Sequence, residues 1–554
     1  MLLSNIKFPL AKFPKTSDYN HFPFSNINGV GNKKVLSSGK VKVLYDGYTY
    51  FNSPSHPLEA ELHLQDYNAA SDDEAGIGIL PFFHGKNILL TGATGLLGKV
   101  LVEKILRSMS VGKIYLLIKA KDKEAAYTRL TNEITNSDLF KVLKEELGDS
   151  YEAITREKLI PIAGNICEPN LGMDSESIAR VRKDVDVIIQ SAASTILNDR
   201  YDLLVDANMS APQRLMRFAK TCNNLTLLAH ISTAYVSGKR DGLIMERPLI
   251  MGGNGRKEEH CDESALLDIV EENNLILKSS SSSSTEHDLT KNLKRLAQDR
   301  ATLFGWHNSY HMTKAMGEMA LGEIRGDVPL LIIRPTVIES TYKDPFPGWI
   351  QGNRMFDPVI MAYGKGQLPG FFGDSQVIMD IIPVDMVANT TIAAIAKEGN
   401  MHWPQPQLRV YHVASSATNP LLYSDFFEYL FHYFNSSPLI PSQEISRIIY
   451  FDNFQDFSEY TRNTINGGEE MITLKSQNQA KAKAAYADRL CKLYEFIGFF
   501  SARFDTGNTD RLIDAMSKEE RLSFEVDARN IEWKKYFEEI HIPGLIKHII
   551  NGTM

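Results

Sequence analysis

The chain has 554 residues, of which 43% are hydrophobic and 23% charged, with a formal net charge of -8 at pH 7. That length exceeds what one core usually supports, so two folded units are expected, and the mild acidity without long single-sign blocks speaks against nucleic-acid binding and for small-molecule chemistry. Cys167, Cys222, Cys261 and Cys491 form no CxxC pair, which argues against a disulfide framework and a zinc site, and no run of about 18 apolar residues offers a membrane-spanning helix.

Residues 1–75 read as an extension. Its first 45 or so residues are rich in Lys, Ser and Asn, with Asp18 the only acid before Asp46. A transit peptide and an extension without an address both fit, because Arg is absent from the stretch. From Lys86 the pattern changes to short β-rich apolar runs at Asn87–Thr91, Lys113–Ile118, Leu159–Ala163, Val185–Ile189, Leu225–Ile231 and Pro329–Ile333. Between the first two, Val102, Ile105, Leu106 and Met109 recur at helical spacing. Strands alternating with helices predict an α/β fold, a Rossmann-type doubly wound parallel sheet, over 76–399. The serine run Ser279–Ser284 is expected to be a mobile surface loop. Beyond about Gly399 the alternation weakens, and Phe426, Phe427, Leu430, Phe431 and Phe434 share one helical face before an Ala/Lys-rich segment, Gln477–Phe496. A smaller, mainly helical C-terminal domain is predicted over 400–554, with that aromatic stripe packing on its own core.

The chemistry starts at Thr91-Gly92-Ala93-Thr94-Gly95-Leu96-Leu97-Gly98, directly after an apolar strand and opening a helix. Side chains at the glycines would block the tight turn, the approach of a pyrophosphate and the packing of helix on strand. The helix N-terminus then holds the anion with its free N–H groups. In this context GxxGxxG points to a dinucleotide. The second strand ends at Ile118 and runs into Lys119-Ala120-Lys121, cations where an NAD site would carry a carboxylate; this favours the 2′-phosphate of NADPH on Lys119.

Tyr310 and Lys314 lie four apart, on one face if the segment is helical. An ammonium near the phenol is expected to lower its pKa towards neutrality, so that the hydroxyl can protonate a developing alkoxide, while Lys314 also holds the nicotinamide ribose. The strand through Ala229-His230-Ile231 ends in Ser232-Thr233-Ala234-Tyr235-Val236-Ser237-Gly238, which sets hydroxyls at the carboxyl end of a parallel strand, where such sheets bind ligands. No metal is expected, and His230, His311 and His412 are read as structural.

These residues resemble the extended short-chain dehydrogenase/reductase superfamily, and the resemblance implies Thr233, Tyr310 and Lys314 as the catalytic group. It also implies that Gln190-Ser191-Ala192-Ala193-Ser194 runs beside the cofactor, with Ala192 in contact, and that Asn208 supports the site. More narrowly, TGATGLLGKVLVEKILR, HISTAYVSG, YHMTKAMGE, IIRPTVIEST, DPFPGWIQG and DIIPVDMVAN follow one another as in alcohol-forming fatty acyl reductases, with FFSARFD and WKKY in the C-terminal region. The plant branch linked to male sterility and pollen-wall lipids is the nearest likeness. It implies reduction of a fatty acyl thioester, carried by acyl carrier protein or coenzyme A, to a primary alcohol through an aldehyde with two NADPH, and it implies a plastid (chloroplast) location, with the cytoplasm or the endoplasmic reticulum as the alternative. Departures are Lys119 where Arg is usual, Asp344 for a longer acid, Gln190 for His, and the long serine run. Two rivals stay open: an extended reductase for another carbonyl, and a non-catalytic dinucleotide sensor, which would have no use for the three residues together.

Overall fold

The computed structural model describes residues 76–250, 268–281, 283, 285–401, 405–441, 444–467 and 474–550. The extension over 1–75, Cys261, Ser282 and Ser284 lie outside them. Seven strands, β1 Ile88–Thr91, β2 Ile114–Ile118, β3 Leu159–Ala163, β4 Val187–Gln190, β5 Leu227–Ile231, β6 Leu330–Pro335 and β7 Leu408–Val413, pair in parallel in the order β7-β6-β5-β4-β1-β2-β3. The six expected strands are present within one or two residues. The seventh was not expected, and the sheet therefore runs past the anticipated boundary at residue 399. Its sequence, LRVYHV, carries Arg409 and His412, which mask an apolar strand.

The strands alternate in which face they bury. Ile88, Leu90, Leu116, Ile189, Ala229 and Ile333 join one core, whereas Leu89, Tyr115, Leu117, Ile188, Leu228 and Ile332 join another. Both faces are covered, as a parallel sheet with crossover helices requires. Helix α1, Leu96–Ser108, lies on the first face with α4, Val384–Asn400. Leu215, Met216, Phe218 and Ala219 of α2, Ala211–Ala219, join the second core, as does Leu321 of α3, Ser309–Ile324.

The first core continues into the C-terminal region. Phe426, Phe427, Leu430 and Phe434 of α5, Tyr423–Ser436, are buried within it, so the aromatic stripe packs as core, and α6, Leu474–Gly498, adds Ala487, Leu490 and Cys491. One loop fastens α1 to this region: Asp344 takes Lys104 Nζ at 2.6 Å and Arg107 Nη2 at 3.3 Å, and Lys104 also donates to the Ser523 carbonyl at 2.6 Å. Asp385, at the start of α4, accepts the backbone N–H groups of Tyr342, Lys343 and Asp344.

The serine run departs from expectation. Ser279–Ser281 close the helix Ile269–Ser281, with the Ser280 and Ser281 hydroxyls bonded to the carbonyls of Ile276 and Leu277. Serine competes for its own backbone, and here the bond back by four residues is compatible with helix. Cys167, Cys222 and Cys491 are free thiols. Among the described residues no helix is long and apolar enough to cross a membrane.

Candidate active site

The strand order reverses direction between β1 and β4, which opens a crevice at their carboxyl ends. Thr91, Gly92, Thr94 and Gly95 form the turn at its floor. Gly92 has φ 78°, and a Cβ there would stand 2.7 Å from Ala192 N; at Gly98 a Cβ would stand 2.1 Å from the Gly92 carbonyl oxygen. Neither position tolerates a side chain, so the backbone comes as close to the crevice as it can. Gly95 caps α1, and the first bond of the helix runs from Lys99 N to Gly95 O at 3.0 Å. The amides of Leu96, Leu97 and Gly98 thus lack acceptors within the helix and are available to an anion.

Across the crevice, Ala192 N donates to Thr91 Oγ1 at 3.3 Å and the Gln190 side chain donates to the Ala192 carbonyl at 2.6 Å. Asn208 is buried, accepts from Ser194 N at 2.9 Å, and donates to the Ser194 carbonyl and to Thr313 Oγ1 at 3.0 and 3.1 Å. It joins the segment beside the crevice to α3. That helix approaches so closely that a Cβ at Gly317 would lie 2.2 Å from the Asn208 carbonyl oxygen.

Asn308 caps α3 by accepting from His311 N at 2.9 Å, which sets Tyr310 in the first turn and Lys314 one turn on. Lys314 is buried; its Nζ donates to the Ile231 carbonyl at 2.7 Å and lies 3.5 Å from His230 Nε2. The lysine thus ties α3 to the carboxyl end of β5, where Thr233 follows in extended backbone with its hydroxyl 3.4 Å from the Pro335 carbonyl. Tyr235, two residues on, stacks on His311 with ring centroids 5.2 Å apart. Tyr310 and Thr233 are therefore carried by elements packed on one another.

The expected electrostatics do not hold as stated. Burial pushes the Tyr310 phenol up to about 12, and burial lowers Lys314 to about 8, with Glu318 one turn away opposing the fall. Burial alone accounts for the shift of the phenol, so desolvation, not the ammonium, governs it. His230, His311 and His412 are buried neutral: burial takes His311 and His412 to about 3 and His230 well below its usual value.

Two groups of residues were not anticipated. Phe496, Phe500 and Phe504, from the end of α6 and just beyond, pack edge-on around Tyr235, with centroids at 6.1, 5.5 and 5.4 Å. Phe499-Phe500-Ser501-Ala502-Arg503-Phe504 had pointed to this segment without giving its place. Beside β2, Lys119 and Lys121 are exposed, and Arg129 donates to the Lys119 carbonyl at 2.7 Å while Glu133 holds its guanidinium at 2.6 Å. Arg129 follows Lys119 by ten residues, a spacing no motif marks.

Fold and crevice together define a nicotinamide-dinucleotide oxidoreductase of the short-chain dehydrogenase/reductase kind. Two families described as male sterility protein match residues 90–391 and 455–552. Fatty acyl-CoA reductase 2, chloroplastic, of Arabidopsis thaliana is 44% identical over 86% of this chain and 80% of its own length. The alcohol-forming fatty acyl-CoA reductase of Simmondsia chinensis is 37% identical over 85% of this chain and 99% of its own. The chain belongs to this family, the male sterility type of fatty acyl-CoA reductase. Among solved structures, the terminal R domain from the myxalamid PKS-NRPS biosynthetic pathway aligns with a TM-score of 0.55 at 15% identity, over 84% of this chain and 92% of that one, which shows the shared fold.

Proposed function

We propose that the chain reduces a long-chain fatty acyl thioester to a primary alcohol through an aldehyde, using NADPH, with Thr233, Tyr310 and Lys314 as its catalytic residues. The observation that carries this reading is the bond from buried Lys314 to the end of β5, which sets the α3 turn bearing Tyr310 beside the strand tip bearing Thr233. The glycine cradle, which a Cβ would fill, fits a pyrophosphate, with Thr91, Thr94, Ala192 and the amides of Leu96, Leu97 and Gly98 around it. Lys119 and Lys121, joined by Arg129, supply positive charge where a 2′-phosphate would stand, which supports NADPH over NADH.

Bound NADPH supplies hydride, two equivalents being required from thioester to alcohol. Thr233 Oγ1 donates to the carbonyl oxygen of the substrate as charge develops on it. Tyr310 gives its proton to that oxygen, and the thiol leaves when the resulting hemithioacetal collapses. The same two hydroxyls then serve the aldehyde. Lys314, held by Ile231, orients the ribose. Phe496, Phe500 and Phe504 form an apolar wall that excludes water beside Tyr235, in keeping with an acyl chain. The carrier is acyl carrier protein or coenzyme A. The chloroplastic relative and the Lys/Ser-rich extension support a plastid location, and the male sterility description supports a product used in pollen-wall or surface lipid.

The test is incubation of the purified chain with NADPH and a panel of acyl-carrier-protein and acyl-coenzyme A thioesters, with products identified by mass spectrometry. Alcohol is expected from wild type. Tyr310→Phe should bind NADPH as before and lose about 100-fold or more of its turnover. A wild-type chain that leaves every thioester intact would overturn the reading.

A further inference from the structure

Glu339, Asp357 and His541 are far apart in sequence, yet they meet inside the fold and each is wholly buried. Glu339 ends the short strand Val337–Glu339 that follows β6, Asp357 opens the helix Asp357–Gly364, and His541 stands at the end of the helical segment Tyr536–His541. One oxygen of each carboxylate is held by the backbone. Phe356 N donates to Glu339 Oε1 at 2.9 Å, and Arg354 N donates to Asp357 Oδ2 at 3.0 Å. Their other oxygens, Glu339 Oε2 and Asp357 Oδ1, face His541 Nε2.

The neighbouring hydroxyls orient the ring of His541. Tyr536 donates its single hydroxyl proton to the Ser340 carbonyl at 2.9 Å. At the 3.3 Å contact between the Tyr536 and Ser340 hydroxyls, Ser340 is therefore the donor. Ser340 Oγ lies 2.9 Å from His541 Nδ1, and with Ser340 accepting there a neutral imidazole carries its proton on Nδ1 and turns the Nε2 lone pair to the carboxylates. Nε2 lies 3.2 Å from Asp357 Oδ1 and 4.0 Å from Glu339 Oε2, and none of these three atoms has a hydrogen-bond partner. With the imidazole neutral and both carboxylates ionised, three buried lone pairs converge on one point. Buried polar atoms are rarely left so, and two facing carboxylates repel.

We propose that Glu339, Asp357 and His541 bind one divalent cation of the zinc class, which staples the C-terminal segment to the reductase sheet. Two carboxylates balance its charge. Ligand atoms about 2.1 Å from a tetrahedral ion lie roughly 3.4 Å apart, between the 3.2 and 4.0 Å separations measured here. An imidazole among the ligands favours Zn²⁺, Mn²⁺ or Co²⁺ over Mg²⁺ or Ca²⁺, which prefer oxygen alone. The backbone donors and Ser340 form the outer set of bonds that fixes ligand orientation in metal sites. Glu339 and Asp357 fall in the first family match and His541 in the second, so the ion links the two.

Full-length protein purified without chelator should carry about one equivalent of such a metal by elemental analysis. Stripping with dipicolinate should lower Tm, and Zn²⁺, Mn²⁺ or Co²⁺ alone should restore it; Co²⁺ should add visible absorption bands. Ser340→Ala should weaken retention by about 10- to 100-fold. His541→Gln should abolish binding, and if it does not fold, the stripping and restoration of wild type decide alone. Wild-type protein that holds no metal after incubation with each ion and shows no Tm change would overturn the proposal, as would unaltered binding by folded His541→Gln.

Discussion

Helix α3 carries two glycines whose surroundings differ, and Gly317→Ala tests whether the seat of that helix sets the chemistry. A Cβ at Gly317 would stand 2.2 Å from the Asn208 carbonyl oxygen, whereas one at Gly322 would meet only Leu408 Cδ1, at an ordinary 3.5 Å. An atom that close to backbone must be relieved by a shift of about 1 Å, because the core around it is close-packed. Overpacking costs about 1–3 kcal/mol, and alanine in a helix returns about 1 kcal/mol relative to glycine. The net loss of stability is thus about 0–2 kcal/mol, a fall in Tm of a few degrees. A shift of about 1 Å at Tyr310 and Lys314 should cost about 100-fold in kcat/KM. The assay is loss of reduced-nicotinamide absorbance with an acyl thioester, run beside thermal melts, with Gly322→Ala as the control that keeps activity. Wild-type kcat/KM in Gly317→Ala, or an equal loss in Gly322→Ala, would refute the reasoning.

The alkaline limb of kcat/KM should follow Lys314, whose folded pKa is lowered to about 8 by burial: the ammonium is present below that pH and lost above it, so activity should fall about tenfold per pH unit. A flat profile through pH 10 would remove the need for its charge. Replacing Lys119 and Lys121 by Ala should narrow the preference for NADPH over NADH by up to about fivefold per lysine, since exposed ion pairs contribute at most about 1 kcal/mol; an unchanged ratio of KM values would pass the role to Arg129. Arg334→Met should destabilise the fold by about 3–5 kcal/mol, because buried Glu318 loses a guanidinium that binds it at 3.0 and 2.5 Å. Denaturant unfolding reads this directly, and the double variant with Glu318→Met should recover most of the loss.

Much of this was legible because it depends on short-range pattern. The glycine turn, the β1-to-β5 strands and the Tyr310 and Lys314 spacing are local signals, and each lies where the sequence put it. β7 was hidden because Arg409 and His412 interrupt an apolar run, although His412 is buried beside Arg334 in the fold. The role of Phe496, Phe500 and Phe504 was invisible for another reason: they meet Tyr235 across more than 250 residues, and no periodicity encodes such a contact. The same holds for Glu339, Asp357 and His541. The pKa of Tyr310 was misjudged because i, i+4 spacing reports proximity along a helix, not which acceptor a lysine chooses once it is buried.

The raised pKa of Tyr310 bears on its proposed role as proton donor. A phenol held near neutrality would exist partly as phenolate, which suits removal of a proton from an alcohol. At about 12 the Tyr310 hydroxyl stays protonated throughout the physiological range. It is still a far stronger acid than the product alcohol, whose pKa lies near that of water at about 16, so proton donation to an alkoxide runs downhill by roughly four units. The burial that raises Tyr310 also lowers Lys314, which keeps its charge near pH 7 with help from Glu318, itself fixed by Arg334. In the proposed role of Tyr310, desolvation at the start of α3 keeps the phenol protonated, the state that proton donation to the substrate oxygen requires.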